Sequence, residues 1–196
     1  MIVTGGGGSG CGRAIATAFA ERGATLVVSD INEAGGQAAF FCADVGNEPQ
    51  VRKLVEFAES RFGSLSVLVN NASSPHPASE GLAGWTGALQ TDLLGTICAT
   101  RWAIEAMRRT GGGSIVNMSS ISALWHGRRT PGGFPGYDVA KLGVIRLTTG
   151  LAKEVENDHI CVNWLAPGWI ASDGPIQYWE SLTPAQRKER AVRQSY

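Results

Sequence analysis

Short apolar runs alternate along this chain with longer stretches whose apolar positions recur at helical spacing. The runs Ile2–Thr4, Thr25–Asp30, Ala38–Ala43, Leu65–Asn70, Ser114–Ser119 and Ile160–Leu165 read as strands. Most are nearly continuous in Val, Ile, Leu, Ala and Cys, as strands covered on both faces should be. Helices fit Gly12–Arg22, Glu48–Phe62, Trp85–Arg109, Tyr137–Glu156 and Pro184–Val192. This alternation predicts an α/β fold built on a doubly wound parallel sheet of about six strands. No internal repeat, linker or low-complexity stretch interrupts it, so residues 1–196 read as one domain.

Two places strain the pattern. Seven residues, Ile31 to Gln37, separate the second strand from the third, whereas a parallel crossover usually needs a dozen or more. Coiled as a helix they advance only about 10 Å, against about 20 Å for a six-residue strand. The return must be mostly extended, with at most one helical turn at Asn32–Gly35, and a sheet face near the third strand lacks its helix. The sixth strand is followed by Pro167-Gly168 and a polar, tryptophan-bearing tail, with no further strand. The sixth strand then forms an exposed edge, and Trp164, Trp169 and Trp179 lack part of their cover.

Composition narrows the function classes. Apolar residues make up 43% and charged residues 17%, ordinary for a soluble globular chain. Formal net charge is +0, giving no electrostatic case for nucleic acid or an anionic membrane. No apolar run reaches the ~18 residues of a membrane span, and no signal peptide opens the chain. Cys11, Cys42, Cys98 and Cys161 are scattered without metal spacing, and His76, His126 and His159 lie far apart. A cytoplasmic protein with free thiols and no metal is expected.

The chemistry concentrates in three places. Tyr137 and Lys141 stand four residues apart on a helix, so an ammonium sits beside a phenol. A nearby cation favours the phenolate, drawing its pKa down from about 10 towards the range of an acid/base catalyst. The first strand runs into Thr4-Gly5-Gly6-Gly7-Gly8-Ser9-Gly10-Cys11-Gly12 and then a helix. Glycines let the backbone approach a pyrophosphate, and the helix N-terminus offers free N–H groups and partial positive charge. Asp30 ends the second strand, 18 residues beyond Gly12. An acid there accepts from both ribose hydroxyls and repels a 2′-phosphate, favouring NAD over NADP.

These segments, with Asp44-Val45, Asn70-Asn71-Ala72-Ser73, Ser119-Ser120 and Pro167-Gly168-Trp169-Ile170-Ala171-Ser172, occur in the order of the short-chain dehydrogenase/reductase family. The chain resembles its single-domain branch from Ile2 to about Ser172. The resemblance implies a Rossmann-like fold and a hydride transfer between NAD and the carbinol or carbonyl carbon of a small alcohol or ketone. It also implies the residue roles. Gly6, Ser9, Gly10, Cys11, Gly12, Asp30 and Ile31 would bind the cofactor's adenosine and pyrophosphate. Asp44 would bond the adenine amino group, and Val45 would meet the ring through its backbone. Asn71 and Ala72 would line the nucleotide, while Pro167, Gly168, Ile170 and Ser172 would grip the nicotinamide end. Ser120 would hydrogen-bond the substrate oxygen, Tyr137 would pass the proton, and Lys141 would hold the ribose and depress the tyrosine's pKa. Residues 171–196 would form part of a substrate lid, and the helices at 85–109 and 137–156 would pair two copies as a homodimer.

The chain departs from the family pattern at several points. The glycine loop is one residue longer, so Gly5 or Gly6 can serve as first glycine and the part played by Thr4 stays open. Asp92 occupies the position of the family's catalytic asparagine; its main-chain carbonyl would hold a water, and its carboxylate could pair with a neighbouring cation. Ser73 replaces a glycine. The lengthened segment with His126, Arg128 and Arg129 is either a substrate loop for an anionic group or a solvated excursion. The usual seventh strand is lacking, which implies C-terminal truncation and marginal stability. Two functional classes remain: an oxidoreductase, or a dinucleotide-binding module without turnover. A third option keeps the fold for epimerisation or dehydration.

Overall fold

The computed structural model describes residues 1–30, 39–74, 81–124 and 135–188. Its sheet has six parallel strands: β1 (Ile2–Thr4), β2 (Val27–Asp30), β3 (Ala39–Cys42), β4 (Val67–Asn70), β5 (Gly113–Met118) and β6 (Ile160–Leu165). They lie in the order β3-β2-β1-β4-β5-β6. The order reverses between β1 and β4, which opens a crevice beyond their carboxyl ends. Register brings Thr4 beside Ser29 and Asn70 beside Asn117, so the strand ends that carry polar residues line up at that crevice.

Neighbouring residues on each strand point to opposite faces. Ile2, Val27, Leu68 and Ile115 turn to one face and bury beneath α2 (Glu48–Phe62), α4 (Gly95–Arg109) and the last turn of α5 (Pro135–Glu154). Val3, Val28 and Val69 turn to the other and pack on Ala16 and Phe19 of α1 (Cys11–Glu21). Asn47 caps α2, its Oδ1 accepting from the Gln50 N–H at 3.3 Å, and Gly63 ends it in the left-handed region at φ 79°.

Among the described residues, cover on both faces does not extend to β6. Ile160 and Val162 are buried, whereas Cys161, Asn163 and Leu165 are exposed, because α1 is the described helix on their side and lies over β1 and β2. β6 is an edge strand among the described residues, as expected. The second crossover, Ile31 included, and the segment with His126, Arg128 and Arg129 lie outside the described residues.

The expected helix Trp85–Arg109 is instead three pieces: α3 (Gly81–Ala88), a π-helical turn Leu89–Leu94, and α4. The wider turn carries Asp92 inward, to complete burial, where one regular helix would have left its register unbroken. Gly95 then passes so close to Val45 that a Cβ there would lie 2.8 Å from Val45 Cγ2. Within the tail, Asp173–Ser181 folds as α6, a helix the polar pattern did not reveal. Among the described residues no helix is long and apolar enough to cross a membrane.

Candidate active site

The glycine loop is tied down where β1 meets β4. Thr4 Oγ1 accepts from the backbone N–H of Asn71 at 3.0 Å and of Ala72 at 3.2 Å. Asn71 Nδ2 returns two bonds, to the Thr4 and Gly5 carbonyls, each at 3.1 Å. Thr4 therefore pins the turn, and Gly5 is the first glycine: it sits at φ 66°, and a Cβ there would lie 2.7 Å from Ala72 Cα. Gly12 is the last, since a Cβ would fall on the Gly5 carbonyl oxygen. The additional residue is absorbed in the outer loop, where Gly8 and Ser9 are exposed and Gly8 and Gly10 have open space around them.

No side chain caps α1 at Gly10, and its first turn holds no acid, so the N–H groups of Cys11 and Gly12 carry the helix's partial positive charge. Asp30 Oδ2 accepts from the Gly7 N–H at 2.9 Å, bringing the carboxylate against the loop. Asp44 is exposed and closes its own turn, Oδ1 accepting from Gly46 N–H at 2.8 Å. Val45 is buried beside it. This cradle fits a dinucleotide: close backbone, an uncapped helix end, and a carboxylate at the second strand.

The catalytic candidates meet at the end of β5. Tyr137 enters on the first turns of α5 and hydrogen-bonds Ser120. Lys141 follows one turn later, its Nζ 5.3 Å from the Tyr137 ring centroid. Burial pushes the phenol above the ordinary tyrosine value; the Ser120 bond pulls the other way, and the charges of Asp92, Asp138 and Cys11 push it further up. The phenol stands above its ordinary value although Lys141 lies one turn away. Its Nζ is turned to the Asp92 carboxylate at 3.1 Å and donates to the Met118 carbonyl at 2.9 Å. An ammonium neutralised by a carboxylate has little field left for the phenol.

The Asp92 carboxylate pairs with a neighbouring cation, as its position allowed: Oδ1 lies 3.1 Å from Lys141 Nζ, while the main-chain carbonyl accepts from Thr96 Oγ1 at 2.9 Å. Ser73 Oγ donates to Asp92 Oδ1 at 2.6 Å. Beneath these groups runs a buried polar chain that sequence reasoning missed. Asn70 Nδ2 donates to Thr100 Oγ1 at 2.9 Å and to Asn117 Oδ1 at 2.8 Å, and Asn117 Nδ2 donates to Thr148 Oγ1 at 2.9 Å. Ser119 Oγ bonds the Lys141 carbonyl at 2.8 Å. These bonds lock α4 and α5 to the sheet; the only sequence signal was polar residues inside apolar strands.

The segment after β6 completes the rim. Ile121 N–H bonds the Pro167 carbonyl at 3.0 Å, joining it to the Ser120 turn. Gly168 and Ile170 are exposed, and Ser172 precedes α6 without capping it. Trp169 packs edge-on against Trp179 at 5.7 Å and Tyr178 at 6.4 Å. Ile170, Pro175 and Ile176 extend this apolar cleft.

Comparison with known proteins agrees with this architecture. Residues 1–181 match the short chain dehydrogenase family model. The chain is 35% identical to a probable galactose dehydrogenase of Rhizobium meliloti (strain 1021), over 96% of its own length and 79% of that protein's. It is 33% identical to an L-fucose dehydrogenase of Bos taurus, over 93% of this chain and 68% of that one. The crystal structure of a short-chain dehydrogenase/reductase from Burkholderia xenovorans superposes with TM-score 0.85 at 29% identity, covering 97% of this chain and 79% of that one. A glycine turn at the sheet's switch point, a phenol and an ammonium on one helix turn, and a family match across nearly the whole length leave one assignment: the chain belongs to the short-chain dehydrogenase family.

Proposed function

We propose that this protein is an oxidoreductase that moves a hydride between a nicotinamide dinucleotide, NAD in preference to NADP, and the carbinol or carbonyl carbon of a small alcohol or ketone. The observation that carries the reading is the Tyr137 phenol, hydrogen-bonded to Ser120 and one turn from Lys141. The names of the galactose and L-fucose relatives, and of a cis-4-hydroxycyclohexanecarboxylate dehydrogenase from Sinomonas cyclohexanicum at 35% identity, support a hydroxyl-bearing carbon as the reacting centre.

Cofactor and catalytic residues share one domain. Gly5, Gly6, Gly10 and Gly12 with the Cys11 N–H hold the pyrophosphate, and Asp30 accepts from the adenosine ribose while repelling a 2′-phosphate. Asp44 and Val45 flank the adenine; Asn71 and Ala72 line the middle of the site, and Pro167 to Ser172 its nicotinamide end. The bound nicotinamide supplies the hydride chemistry. Ser120 donates to the substrate oxygen, and Tyr137 takes the proton from that oxygen during oxidation and returns it during reduction. Trp169, Ile170 and Ile176 offer the substrate an apolar wall. Two copies associate through α4 and α5, a reading supported by Val139 and Leu142, 49% and 47% exposed on α5.

Tyr137→Phe tests the assignment. It removes the proton-passing oxygen and keeps the ring, so turnover on a panel of sugars and cyclic alcohols should fall at least ~100-fold. NAD binding should be retained, and should exceed NADP binding by about tenfold or more. A parent protein that binds NAD yet turns over nothing would leave a binding module instead.

A further inference from the structure

Two departures from the family pattern, far apart in sequence, touch in space. Ser73 Oγ and Lys141 Nζ share the same oxygen of Asp92, at 2.6 Å and 3.1 Å. The other oxygen takes the Ser74 N–H and hydroxyl, both at 3.4 Å. The carboxylate is fully buried, and the Lys141 side chain is 4% exposed. A glycine at position 73 would supply no hydroxyl, and an asparagine at 92 would supply no charge. With serine and aspartate, the site gains a buried anion that already has its donors and a cation.

We propose that Asp92, seated by Ser73, is a positioning residue that takes up the charge of Lys141 and so keeps the Tyr137 phenol protonated to higher pH than asparagine at that position would. The inference rests on Tyr137 as the acid/base group. An ammonium facing a neutral amide acts on the tyrosine, whose ring centroid lies 5.3 Å from its nitrogen, with its whole charge; facing a carboxylate at 3.1 Å it acts as half of a dipole. Among the described residues, five side chains bear on the phenol. Ser120 stands at the end of β5, Asp138 and Lys141 on α5, Asp92 on the π turn and Cys11 at the start of α1. Of these Lys141 is the cation, and Asp92 decides how much of its field is left.

The test uses the whole chain labelled at tyrosine Cζ, with three tyrosines to resolve. Tyr137→Phe assigns the Tyr137 resonance. In Asp92→Asn its titration midpoint should move down by at least about one pH unit, a tenfold change in phenolate at a given pH. The limb on which alcohol oxidation rises with pH, which needs the phenolate as base, should move down with it. Ser73→Gly with Asp92→Asn gives both positions the family's residues and should show the same shift should the single variant fail to fold. An unmoved midpoint in either variant would overturn the proposal, as would failure of both to fold, which would make the pair structural. The resonance reads ionisation without turnover. An inactive parent whose midpoint still shifts would therefore sink the enzymatic reading and not this one.

Discussion

Replacing Lys141 by methionine keeps the stem of the side chain and removes the charge that faces Asp92. The ammonium lies 3.1 Å from Asp92 Oδ1, with side-chain exposures of 4% and 0%. Stranding one member of a buried pair costs roughly 3–5 kcal/mol. The bond to the Met118 carbonyl adds about 1 kcal/mol. Against this, Ser73 and Ser74 go on donating to the carboxylate, which pulls the total towards the lower end. A loss of about 3 kcal/mol is a large part of the ~5–15 kcal/mol that holds a domain together. For a chain of this size it lowers Tm by about 6–12 °C. Urea unfolding followed by tryptophan fluorescence measures it. Adding Asp92→Asn to Lys141→Met should restore most of the loss. A deficit under about 1 kcal/mol, or one unrelieved in the double variant, would refute the buried-pair account.

Further outcomes follow from the same geometry. Gly12→Ala places a methyl group on the Gly5 carbonyl and 2.5 Å from Asn71 Nδ2; an overpacking cost of about 1–3 kcal/mol outweighs the helix gain, and calorimetry should find NAD affinity at least tenfold weaker. Gly150→Ala, on α5 with open space at its Cβ position, should instead raise unfolding stability by about 0.5–1 kcal/mol and leave NAD affinity alone. Because burial raises the Tyr137 pKa, the unfolded chain loses that proton first as pH climbs past about 10, and the folded state then loses stability. Denaturation at pH values on both sides of 10 should show the parent losing ground to Tyr137→Phe above it, whereas parallel curves would contradict the raised value.

The sequence alone was enough for the sheet and for the strand, loop and helix that carry the glycines. Short apolar runs and period-3.6 patterns are local, so β1, α2 and β6 fall where the residues predict them. A glycine loop between strand and helix, and Tyr137 four residues before Lys141, also speak locally. What the tertiary structure decided are contacts between segments remote in the chain. Nothing near Asp92 announces a π turn or that its carboxylate will reach Lys141, 49 residues on. Nothing near Ser73 announces that its hydroxyl will meet that carboxylate. The pKa of Tyr137 followed the same rule. Helical spacing put a cation beside it, but its ionisation depends on burial and on the summed charge of every neighbour, and those come together only when the strands align.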